Sequence, residues 1–229
     1  RFHEMAHRHT LGIEVTPPSG EGGGADLARW WGNFLIHQPA RALGERFAEK
    51  TLVGSIDGRT LVATCDLIVV AAENGPSRAR IFDWKTWRRR HSRDWLQSRL
   101  QTRIYPYLLV QCGGELTPGG SSIRPEDVEM VYWYTEFPAQ PSEIFSYSEA
   151  QYRADEQYLA QLTEEINSHD AGAFELTSDE RQCNYCAYRS FCDRGDIAGA
   201  FEKRDDEPGV DVDEGPFLAN LDDYEAIAF

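Results

Sequence analysis

The hexapeptide Ile81-Phe82-Asp83-Trp84-Lys85-Thr86 restricts this chain more than any other stretch. It reads as a buried strand. A strand sends alternate side chains to opposite faces, so Asp83 and Lys85 share one face while Phe82 and Trp84 share the other. A carboxylate and an ammonium side by side in an apolar strand are costly unless they pair, bind a metal or take part in chemistry. Upstream, Leu61 to Val70 is a second apolar strand with one charge, Asp66. The intervening Asn74-Gly75 is a turn signal, so the two strands read as a hairpin that sets Asp66 beside Asp83. Two carboxylates and a lysine at one end of a sheet suit a hard divalent cation with an amine next to its bound water.

Length and composition leave room for one sizeable domain with appendages, and no apolar run reaches the roughly 18 residues of a membrane span. The first residue is Arg1, with no secretory signal, so the N-terminus reads as cut, with an upstream segment expected. The formal charge of −15 argues at first against a polyanionic partner. The charge is uneven, however. Residues 193–229 hold twelve acidic and three basic residues, a net −9, which leaves −6 for the rest. From Lys85 to Arg103 there are seven basic residues (Lys85, Arg88, Arg89, Arg90, Arg93, Arg99 and Arg103) against the single acid Asp94. Such a run is usually a solvated helix start. Following directly on the Asp/Lys strand, it also reads as a set of phosphate contacts. Five cysteines are present, with Cys183, Cys186 and Cys192 clustered and Cys65 and Cys112 apart in apolar stretches. Tight C-x2-C spacing with an odd count fits metal binding in a reducing, cytoplasmic setting better than disulfides.

In order along the chain, Phe2 to Gly12 reads as the end of a helix, with His3 and His7 on one face. Asp26 is expected to cap a helix with Leu27, Trp30, Trp31, Phe34 and Leu35 at helical spacing. Arg46 to Ser55 reads as the first strand, joined by the Asp57-Gly58 turn to the second. A single long helix is expected over Arg93 to Val110, kinked at Pro106. It places Gln97, Gln101 and Tyr105 on a polar stripe. Val128 to Thr135 reads as a strand. Tyr147 to Ser168 reads as an amphipathic helix capped by Ser148, with Tyr152, Tyr158, Leu159, Leu162 and Ile166 towards the core. The early part of the acidic tail is expected to be disordered. Its apolar end, Phe217 to Phe229, reads as docking back on the domain or as a partner-binding peptide.

The order His3, Asp66, Asp83-x-Lys85, Gln101-x3-Tyr105 resembles the PD-(D/E)XK nuclease superfamily, in particular its RecB-type branch, and is similar to a cyanobacterial group within it. The resemblance implies an α/β restriction-endonuclease-like core, a central mixed β-sheet flanked by helices, followed by a C-terminal cysteine-cluster appendage. It divides the chain into a nuclease core over 1–170, a cysteine cluster over 171–195 and an acidic tail over 196–229. It implies Mg²⁺ or Mn²⁺ held by His3, Asp66, Asp83 and the backbone carbonyl of Trp84. Asp66, Asp83, Lys85, Gln101 and Tyr105 would then be the catalytic set. Cys183, Cys186 and Cys192 match three of the four thiols of an iron–sulfur cluster in such enzymes. The fourth has no counterpart in this chain, and zinc is the alternative.

The activity implied is metal-dependent hydrolysis of DNA, at single strands or ends, in repair or defence, with a helicase or repair protein as a possible partner. RNA as substrate stays open. Arg88, Arg89, Arg90, Arg93 and Arg103 would neutralise phosphates, Trp87 and Trp95 would stack on bases or simply fill the core, and Glu49 would support the metal from the first strand. Each of these residues has an ordinary structural reading taken singly: Asp66 as a strand end, Asp83–Lys85 as an internal ion pair, His3 as a helix-face residue. Two alternatives of another kind are a non-catalytic nucleic-acid-binding module and an iron–sulfur or zinc scaffold on the same fold.

Overall fold

The computed structural model describes residues 1–16, 19, 24–37, 44–71, 77–169, 176–184 and 186–195. The Asn74-Gly75 turn and the acidic tail with its apolar end lie outside them. Helices α1 (Phe2–Thr10) and α2 (Ala25–His37) come first, then strands β1 (Glu45–Ile56), β2 (Arg59–Ala71) and β3 (Arg78–Lys85). Helices α3 (Arg93–Ser98) and α4 (Leu100–Cys112) lead to β4 (Val128–Tyr134), β5 (Ser142–Ser146) and α5 (Glu149–Ser168). Short 3₁₀ turns, Glu180–Asn184 and Arg189–Cys192, carry the cysteines. None of the described helices is long and apolar enough to cross a membrane.

The five strands form one mixed sheet in sequence order. β1–β2, β2–β3 and β4–β5 are antiparallel, while β3–β4 is parallel and bridged by α3 and α4. Asp57 and Gly58 both take positive φ, as a tight hairpin turn requires. Helices cover both faces. α1 and α2 bury Phe2, Ala6, Leu27, Trp31 and Phe34 against Leu67, Val69, Phe82, Trp84, Val131 and Trp133. On the other face Leu96, Tyr105, Leu108, Leu109 and Leu159 pack on Ile68, Ile81, Met130 and Tyr132. Each fully buried Leu, Ile or Phe here contributes roughly 1.5–3 kcal/mol.

Three local expectations are corrected. The expected single helix is two: Arg99 takes an extended conformation (ψ 142), and α4 runs through Pro106 without a break. The break lets α4 start afresh over β3, with the Thr102 hydroxyl held between the Leu96 carbonyl and Tyr132 Oη. Asp26 lies inside the first turn of α2, not at its cap, and pairs with Arg29 and Arg88. On α5, Ser148 caps as expected by accepting from Gln151 N, but Tyr158 and Ile166 are exposed. The face of α5 turned to the core instead buries Asp155, whose charge is met by Arg103.

Candidate active site

Strand register decides which charged groups meet. β2 and β3 pair as far as Leu67 with Phe82, and Asp66 and Asp83 are the next residues on the two strands. At this point β2 departs from strict alternation. Cys65 belongs to the core under α4, whereas Leu67, two residues on, belongs to the core under α1 and α2. Asp66 sits at the changeover, and its Oδ2 accepts the Trp84 N–H at 2.6 Å where the ladder would otherwise continue. On β1, Glu49, level with Asp66 in the β1–β2 register, has φ +48, a conformation that side chains other than glycine adopt at a cost.

α1 closes the site from one side. His3 Nε2 donates to the Trp84 carbonyl at 3.0 Å and lies 3.6 Å from Asp66 Oδ2. An imidazole nitrogen, a carboxylate oxygen and a backbone carbonyl thus converge beside Asp83. Burial is the largest influence on His3 and holds its pKa below the ordinary value, which favours the neutral imidazole; the Asp83 charge partly offsets this. Burial also pushes the Asp66 carboxyl well above its ordinary range, reinforced by the charge of Asp83.

From the other side α4 supplies the polar stripe. The buried Gln101 amide is used at both ends: its Oε1 accepts from Lys85 Nζ at 3.0 Å, and its Nε2 donates to Asp83 Oδ1 at 2.6 Å and Tyr105 Oη at 3.0 Å. Lys85 Nζ is 2.9 Å from Asp83 Oδ2 and lies over the Trp87 and Tyr132 rings, at 4.7 and 5.4 Å. β3 is pinned at this end because the Lys85 carbonyl accepts from both Thr135 N and Thr135 Oγ1. The site therefore unites His3, Asp66, Asp83, the Trp84 carbonyl, Lys85, Gln101 and Tyr105. Tyr105 reaches the site through its hydrogen bond from Gln101.

The donor set suits a hard divalent cation: two carboxylates, a carbonyl and one neutral imidazole. The fit has a specific sign, since Asp83 Oδ2 is buried and accepts no aligned hydrogen bond, with only the Lys85 ammonium beside it. As the side chains stand, no three His, Cys, Asp or Glu groups among the described residues close on a single point. Asp66 is turned to Trp84 N and Asp83 to Gln101. The same holds for Cys183, Cys186 and Cys192. Cys183 Sγ accepts from Arg194 at 3.3 Å.

The arginines are placed differently from one another. Arg88 pairs with Asp26, Arg90 and Arg93 share Glu143 on β5, and Arg103 pairs with the buried Asp155. Arg90 and Arg93 also donate to the Gln140 and Ile144 carbonyls of the edge strand and its approach. Arg89 is exposed, and no described carboxylate pairs with it. Trp87 is buried beneath Lys85, and Trp95 is stacked between His91 (3.8 Å) and Arg99 (4.7 Å). The two rings around Lys85 and the Arg103–Asp155 pair had no local signal, because each joins residues from separate elements.

A sequence model described as the PD-(D/E)XK nuclease superfamily matches residues 19–193. That span holds Asp66, Asp83, Lys85, Gln101, Tyr105 and the cysteines; His3 precedes it. No curated protein matches the chain. Among solved structures, one titled "Crystal structure of SSO0001" aligns at 13% identity and a TM-score of 0.38, over 73% of this chain and 67% of its own.

Proposed function

Since the chain belongs to the PD-(D/E)XK nuclease superfamily, we propose that it is a divalent-cation-dependent nuclease of RecB type that hydrolyses DNA phosphodiester bonds at single strands or ends. The observation that carries this reading is the meeting of His3, Asp66 and the Trp84 carbonyl beside the buried pair Asp83–Lys85. His3, Asp66, Asp83 and the Trp84 carbonyl would hold Mg²⁺ or Mn²⁺. When bound, such an ion supplies Lewis-acid polarisation of the phosphate and a more acidic attacking water.

The chain's own residues do the rest. Lys85 has three N–H donors; Gln101 Oε1 accepts one, and the Asp83 carboxylate lies 2.9 Å away as an ion pair. A donor not taken by Gln101 is left to hold the attacking water or a phosphate oxygen as charge develops. Gln101 fixes the direction of that amine, since its oxygen faces the ammonium and its nitrogen faces the carboxylate. The water oxygen forms the new bond to phosphorus as the water gives up a proton, the ester P–O bond breaks, and the departing oxygen takes up a proton.

The test is hydrolysis of labelled single- and double-stranded DNA and of RNA by the purified chain with Mn²⁺, Mg²⁺ or a chelator. Cation-dependent cleavage of DNA is expected, with Lys85→Ala slower by on the order of a hundredfold or more. Equal activity in the folded Lys85→Ala protein, or activity that survives chelation, rules this reading out.

A further inference from the structure

Among the described residues, the site is more open at His3 and Asp66 than at Asp83 and Lys85. His3 keeps 41% of its side-chain surface and Asp66 keeps 17%. Asp83 keeps 6% and Lys85 keeps 3%. A phosphate must therefore arrive over α1 and β2, not over the arginine-rich segment, whose guanidiniums are largely engaged elsewhere. Along β2 from Asp66 runs the outer face of the β1–β2 hairpin. Its inner face buries Leu52, Ile56, Ala63 and Cys65 under α4. Its outer face presents three cross-strand pairs: Thr51 with Thr64, Val53 with Val62, and Ser55 with Thr60. Thr64 is two residues from Asp66. Val53 and Val62 are 56% and 54% exposed.

Resting on the nuclease reading above, we infer that this outer face is where the substrate strand lies as it leads into the site. Two features of the face match a sugar–phosphate chain. None of its six positions carries a carboxylate, in a chain with 38 acidic residues, so the face itself adds no negative charge against a polyanion. The hydroxyls of Thr51 and Thr64 lie 3.0 Å apart, and one donates to the other. The second hydroxyl hydrogen stays available for a phosphate oxygen. The valine pair offers a flat apolar rest for sugars, about 13 Å along the strand from Asp66 at two residues per 6.7 Å. Contact there is with the backbone, so it positions the strand without reading its sequence.

The test is the affinity of a fluorescein-labelled oligothymidylate for the full chain, read by anisotropy in the Lys85→Ala background so that binding is measured without cleavage. Val62→Glu and Val62→Lys are compared at fixed low salt. Val62→Glu is expected to weaken binding roughly fivefold to tenfold and Val62→Lys to tighten it by a similar factor. Opposite signs from one exposed position are not produced by misfolding. Equal affinity in both variants overturns the inference. So does a wild-type dimer that Val62→Glu dissociates without change in oligonucleotide affinity, since the face would then serve a second copy of the chain. Charge-dependent binding without hydrolysis by the unmutated chain leaves the surface standing and removes the nuclease reading. Absence of binding removes both.

Discussion

Asp66 shows how a single side chain can be held against its own preference. Burial and the neighbouring Asp83 both raise its pKa from the ordinary 3.8, so the folded protein retains a proton that the unfolded chain has already released. Stability therefore falls as pH rises through the window from 3.8 towards the raised value, and the deficit persists above it. Asp66→Asn keeps an oxygen for the Trp84 N–H and removes the charge. In chelator at neutral pH the variant should melt at a higher temperature than wild type, the gap closing as pH approaches 4 in thermal scans, a range set by the ordinary carboxyl pKa of about 3.9. With Mn²⁺ the order should reverse, because only the wild type retains the full ligand set, and activity should drop by on the order of a hundredfold. A gap that widens on acidification would contradict this account. Gln101 has the opposite character. It suits the folded state fully, and replacing it with Leu leaves the buried Asp83–Lys85 pair short of two partners.

Among the elements, the β1–β2 hairpin and α4 matter most. Glu49 lies level with Asp66 at the point where the hairpin changes faces, and its φ of +48 is strained for any residue but glycine. Its carboxyl is raised by burial and lies within electrostatic reach of His7. Glu49→Gly should stabilise the protein by about 1 kcal/mol in a denaturant titration. No gain would mean that the side chain itself holds the turn. α4 owes its seat partly to Arg103, whose guanidinium meets the wholly buried Asp155, itself held by Tyr147 and Gln151. Arg103→Ala strands that carboxylate. The cost should be about 2 kcal/mol, below the roughly 3–5 kcal/mol of a fully buried pair because Arg103 stays partly exposed. If instead oligonucleotide affinity falls while the denaturation midpoint holds, Arg103 is a phosphate contact and not a staple.

At the scale of the molecule, a net charge of −15 and arginines tied to Asp26, Glu143 and Asp155 leave few cations free for phosphates. The salt dependence of single-strand binding should accordingly be shallow. A logarithmic slope of about −1 to −2 corresponds to one to three neutralised phosphates. A slope beyond about −4 would mean that those ion pairs open to the substrate. The architecture itself was legible in the chain. Alternation assigned Asp83 and Lys85 to one face and Phe82 and Trp84 to the other, helical spacing placed Gln101 one turn from Tyr105, and the Asp57-Gly58 turn marked the hairpin. All of these are local, because backbone geometry repeats every two or 3.6 residues. Other features needed the assembled sheet. The Asp66 changeover depends on two strands parting, and the engagement of Arg90, Arg93 and Arg103 depends on carboxylates some 50 residues away. The enclosure of Lys85 by Trp87 and Tyr132 joins β4 to the segment after β3. A sequence specifies which groups are charged and which face they share. Which of those charges are left for a ligand is decided only when distant elements pack, since a buried charge takes whatever partner the fold brings within reach.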